Sequence, residues 1–178
     1  MKFSIKTILF LVIISFGANS VLHAQSRASR KKADKDTKHW RYEIECAGIG
    51  VQGTYLVKVW SYAKKPEVAI EQAKKNAIHG VLFKGFAGGA NGCKTQKPII
   101  RNPNLEQEQE AYFNEFFSDG GKYMKFISLS TDGAIAAGDI LRVKKKLFKV
   151  GLIVSVRKDA LRSNLESAGI IRGLTSGF

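Results

Sequence analysis

Cysteine, histidine, proline and acidic side chains are all scarce in this chain. Its 178 residues hold two cysteines and three histidines. Cys46, Cys93, His39 and His79 show no ligand-like spacing, so no metal site is predicted. No serine lies in a Gly-x-Ser-x-Gly elbow. The glycine-rich stretch 85–92 contains no Gly-Lys-Ser/Thr and follows a predicted helix, whereas a phosphate cradle follows a strand and opens a helix. No cofactor is therefore predicted. Glu106, Glu108, Glu110 and Glu115 gather on a helix start, where carboxylates solvate the wet face and favour the dipole. They do not read as a buried acid–base pair, whose members need environments that separate their pKa values. Long apolar runs are missing too. Beyond the first residues the longest is Val150 to Val156, interrupted by Gly151 and Ser155, far short of the roughly 20 residues of a membrane span.

The one early apolar run has a different character. Lys2 and Lys6 precede Thr7–Phe16, then Gly17, Asn19 and Ser20 lead to Leu22-His23-Ala24 and the polar Gln25. This is the pattern of a secretory signal peptide cut after Ala24. Residues 1–24 are read as the leader, 25–39 as a flexible basic lead-in and 40–178 as one domain. The expected location is the periplasm, with further export open. Lys+Arg outnumber Asp+Glu by 29 to 15, a formal charge of +14 that falls to +12 when the leader is lost. A positive balance favours anionic neighbours: envelope proteins, lipid head groups, lipopolysaccharide or nucleic acid. Export argues against a genomic role. In an oxidising compartment Cys46 and Cys93 are natural disulfide partners; two separate buried thiols are the other reading.

Alternation in Tyr42, Ile44 and Cys46 against Glu43 and Glu45 predicts a strand with one wet face. Thr54–Tyr62 predicts a second. Pro66 and the spacing of Ala69, Ile70, Ala73, Ala77, Ile78 and Val81 predict an amphipathic helix. Leu105–Phe117 predicts another, with Asn104 as N-cap. Tyr123–Ser130 and a long Ile140–Val156 read as strands three and four. Asp159 is read as the cap of a last helix and Gly169 as its stop. The order β-β-α-α-β-β-α predicts an α+β fold: two layers, a four-stranded antiparallel sheet and helices on one face.

Two surfaces are candidates for partner binding. Lys84, Phe86, Lys94 and Lys97 flank the glycine-rich segment, either a bare connector or a loop held for recognition. Arg142, Lys144, Lys145, Lys146 and Lys149 form a basic cluster. There, lysines protect a sheet edge or dock an anionic partner. Trp40, Tyr55, Trp60, Tyr62 and Tyr123 read as strand packing rather than base stacking. A Cys93–His79 nucleophilic pair stays open unless a disulfide disarms it.

Val59–Gly85, a strand leading into an alanine-rich helix that ends in glycine, resembles the amino-terminal domain of the flagellar T-ring protein and related envelope lipoproteins. That resemblance implies a small non-catalytic α+β module in a periplasmic assembly. The chain also resembles exported Bacteroidetes proteins, whose signal peptides often end Ala-Gln as at Ala24-Gln25. Neither resemblance assigns a functional residue. The expected function is a non-enzymatic binding or assembly component of the envelope; the alternatives are a secreted binder of anionic ligands and a small thiol enzyme or hydrolase.

Overall fold

A computed structural model describes residues 27–33, 35, 40–89, 92–130 and 135–173. The predicted leader lies outside these residues. Strands β1 (Tyr42–Gly48) and β2 (Tyr55–Ala63) form an antiparallel hairpin, with a bulge between Cys46 and Gly48. Strand β2 pairs along its whole length with β5 (Leu147–Val156), from Tyr55 opposite Val156 to Ala63 opposite Phe148. The far side of β5 is shared by two short strands. Strand β3 (Ile127–Leu129) pairs with its last residues and β4 (Ile140–Lys144) with its first. The protein is thus a mixed α+β fold on an antiparallel sheet of five strands, not four.

The extra strand comes from the basic run. A single strand over 140–156 would have carried lysines on both faces of the sheet. Instead the chain reverses at Lys145-Lys146, leaving those amines in solvent at a hairpin tip. The guanidinium of Arg142 donates to the Lys145 carbonyl at 2.8 Å and braces the turn. The third predicted strand is also shorter. Lys122–Phe126 winds into a 3₁₀ turn, whose threefold repeat puts Tyr123 and Phe126 on one buried side.

Alternation along β2 and β5 explains the core. Val57, Val59, Leu152, Val154 and Val156 are all buried against helices. Helix α2 (Pro66–His79) lies on that face, sinking Ala69, Ala73, Ala77 and Ile78, as the spacing requires. Its last turn widens into a π-turn, Gly80–Lys84. Gly80 packs closely under β1: a Cβ there would fall 2.6 Å from Ile44 Cδ1 and push that side chain aside. The second predicted helix is broken at Gln109 into α3 (Leu105–Glu108) and α4 (Glu110–Phe116). Asn104 is not a side-chain cap; its backbone carbonyl receives the Gln107 and Glu108 amides. Helix α5 (Lys158–Ser167) buries Leu161 and Leu165 and ends before Gly169, whose φ of +70° suits glycine.

The lead-in needs correction as well. Residues 27–33 are helical (α1), and Ala33 is fully buried against Ala63, Val68, Ala69 and Val150. Arg30 also pairs with Asp119 at 3.5 Å, and a single buried alanine is too little to register as a hydrophobic period. Among the described residues no helix is long and apolar enough to cross a membrane.

Leu165 has no exposed surface. Leu165→Ala is expected to cost about 2–5 kcal/mol through lost transfer energy and the cavity left behind. A shift of the denaturant midpoint with an unchanged slope would show it.

Candidate functional site

The glycine-rich segment is a narrow hairpin laid beside the sheet. Gly85 turns it out of the π-turn with a φ of +68°, and a Cβ there would sit 2.2 Å from the Gln96 carbonyl. Phe86 and Gln96 then exchange two backbone hydrogen bonds, at 3.0 and 2.9 Å. Returning amides of Ile99 and Ile100 bond to the carbonyls of Val81 and Leu82, so helix-end acceptors meet chain instead of water.

Cys46 on β1 and Cys93 on this hairpin are bonded, with sulfurs 2.08 Å and Cα atoms 6.1 Å apart. The bridge ties the loop to the turn end of the β1–β2 hairpin. A cavity of about 270 Å³ lies between them, lined by Ile49, Tyr55, Leu56, Phe86, Lys94 and the disulfide. The Tyr55 hydroxyl donates to Gln96 Oε1 at 2.7 Å, and its ring meets Phe86 edge to face. At the hairpin tip Ile49 and Val51 are 78% and 77% exposed, the most solvent-open large apolar side chains among the described residues. Sequence alternation missed them because they belong to a turn, not to a strand.

Of the predicted contact residues, Phe86 and Lys94 meet at this cavity and the others lie apart from it. Phe86 is largely buried and forms part of the cavity wall. Lys94 sits on the rim, and Lys97 is exposed but does not line the cavity. Lys84 lies over the Tyr42 ring, its ammonium 3.9 Å from the centroid, and burial pushes its pKa down. Lys144, Lys145 and Lys146 project at the other end of the sheet. Lys149 leaves that cluster altogether. It lies on the open face of the sheet, paired with Glu43 at 2.8 Å and stacked over Trp60. This pairing raises its pKa and lowers that of Glu43. Trp60 also donates to Glu45, while Lys58 reaches Asp139, so the aromatic face is capped by ion pairs. The outward glutamates were legible from alternation; their partners across the sheet required the register.

The sequence offers His79 as a nucleophile's partner to Cys93 and gives it no metal-ligand spacing. The histidine ends α2 in a different setting, inside a clamp of three elements. Tyr42 Oη is 2.6 Å from Nδ1, and Glu106 Oε2 is 3.1 Å from Nε2. A carboxylate only accepts, so the ring proton lies on Nε2 and the tyrosine hydroxyl donates to Nδ1. Trp40 stacks on the ring at 3.8 Å from a backbone φ of +42°, the only positive φ outside glycine among the described residues. That conformation costs on the order of 1–3 kcal/mol, which the stacking helps to offset. Burial holds the imidazole pKa below its usual value, although Glu106 pulls the other way, and burial raises that of Tyr42. Both ring nitrogens are engaged and Cys93 is bonded elsewhere, so no Cys93–His79 pair forms. Among the described residues there is no free cysteine and no group of three metal-binding side chains.

Fold and site define a mixed α+β domain with a disulfide-anchored loop beside an apolar hairpin tip. No family model, curated protein or solved structure matches the chain.

Two outcomes are expected. Reducing Cys46–Cys93, which closes a loop of sequence separation 47, should lower stability by up to about 4 kcal/mol on chain-entropy grounds, read as a denaturant midpoint with and without reductant; Cys46→Ser should match reduction. For His79 the depressed folded pKa means the unfolded chain binds the proton more readily. Its contribution is full above the unfolded value of about 6.5 and is lost as pH falls through the lower folded value. Stability measured from pH 7.5 to 5 should decline, and His79→Gln should flatten that decline.

Proposed function

We propose that this chain is an exported, non-enzymatic binding or assembly component of the cell envelope. Its partner seats at the disulfide-bound end of the sheet. The observation that carries this reading is the pairing of the exposed Ile49 and Val51 with an adjacent 270 Å³ cavity on a cross-linked frame. Large apolar side chains held beside a concave, partly apolar surface are the usual anchors of a protein interface. The bridge limits the ordering entropy that binding would otherwise cost. Lys94 at the rim adds a positive charge that selects among partners more than it adds affinity. The leader pattern at residues 1–24 and the cysteine pair both suit a periplasmic setting.

Crosslinking in intact cells followed by recovery of the chain tests this. A defined envelope protein should be captured. Ile49→Ser combined with Val51→Ser should reduce that capture by about tenfold or more, without moving the thermal midpoint. Recovery of monomer alone under several crosslinkers would remove the proposal. The purified periplasmic protein should begin at Gln25.

A further inference from the structure

Strand β4 is exposed at all five of its residues, although its inner edge pairs with β5 at Ile140, Leu141, Arg142 and Lys144. Ile140, Leu141 and Val143, with Leu129 of β3 on the same side of β5, are 38–49% exposed. These are four of the six large apolar side chains that the described residues leave in solvent. No strand lies beyond β4 among the described residues, so its outer amides and carbonyls face outward. An apolar edge of this kind is a template for another strand.

Charge decides which strand. Arg142, Lys144, Lys145 and Lys146 occupy the same edge and the turn that follows it, and none has an acidic partner among the described residues. A second copy of this chain, paired antiparallel about its centre, would set Arg142 against Arg142 and bring two lysine turns to flank one short ladder. Like charges directly opposed in a sheet are destabilising. An acidic segment meets the reverse situation. The geometry points to β4 as a strand-addition site that takes up an extended, acidic, alternately apolar segment of another protein. Backbone hydrogen bonds supply affinity and alternate side chains supply specificity in this mode. Strand β4 offers only the five residues Ile140–Lys144, with an irregularity between Arg142 and Lys144. The incoming strand is therefore short, and its hold leans on the lysines. This surface lies at the opposite end of the β2–β5 ladder from Ile49 and Val51, so the proposal goes beyond the site described above and does not depend on it.

The probe is a fluorescent seven-residue peptide alternating glutamate and valine, titrated against the leaderless chain. Saturable binding should appear and fall with added salt. It should weaken by about tenfold or more in the Lys144→Glu, Lys145→Glu, Lys146→Glu triple variant, whose thermal midpoint stays in place. A peptide of the same charge with N-methylated backbone amides should lose binding, because the ladder cannot form. Four results would overturn the proposal: no binding of the acidic peptide; equal binding of its N-methylated form or equal lysine-dependent binding to phosphatidylglycerol vesicles, either of which would leave an unstructured anion surface; or concentration-dependent self-association through β4.

Discussion

The ladder between β2 and β5 is the constraint on which the remaining structure rests. Its nine cross-strand pairs put Val57 and Val59 beside Leu152, Val154 and Val156 on a single face. That face receives α2, and its length leaves room for both β3 and β4 on the outer side of β5. A one-residue slip would turn every valine to solvent and bring Lys58 and Lys149 into the core. Register here is consequently a property of the whole domain. The opposite face reads the same register in charge: Glu43 reaches Lys149 across β2, and Trp60 lies among the ions between them.

Elements with a sustained period were legible from residues alone. The hairpin at the start of the domain, α2 and α5 follow from spacing that leaves little choice. What escaped was governed by single residues or by contacts far apart in the chain. Ala33 seats α1 through a contact with Ala63 and Val150, which only tertiary structure reveals. The hairpin at Lys145 hides inside a run that is dense in strand formers on both sides. Gln109 divides a helix whose apolar spacing continues unbroken through it. In the candidate site the cysteine pair could be anticipated as one of two readings, whereas the exposure of Ile49 and Val51 depends on how a turn is presented.

Two cross-links of different chemistry fasten the loops to this ladder. The disulfide holds the glycine-rich hairpin from outside, close to the surface. The clamp around His79 holds β1, α2 and α3 from within, using two hydrogen bonds and a stacked indole. Burial forces the imidazole to stay neutral, and that neutrality is what lets Tyr42 donate to it. Deep polar groups of this type fix one arrangement of their neighbours because every alternative leaves a donor stranded. Trp40 is held in a conformation most residues avoid, and its ring closes the clamp on the side where the chain enters.

Strand β5 carries a consequence through its dimension. With a rise of about 3.4 Å per residue, the paired stretch keeps the Lys145 turn and the Ile49 turn roughly 27 Å apart on a stiff, twisted ribbon. Bodies gripping the two poles would not touch each other. The ladder thus sets a fixed distance between its two turns.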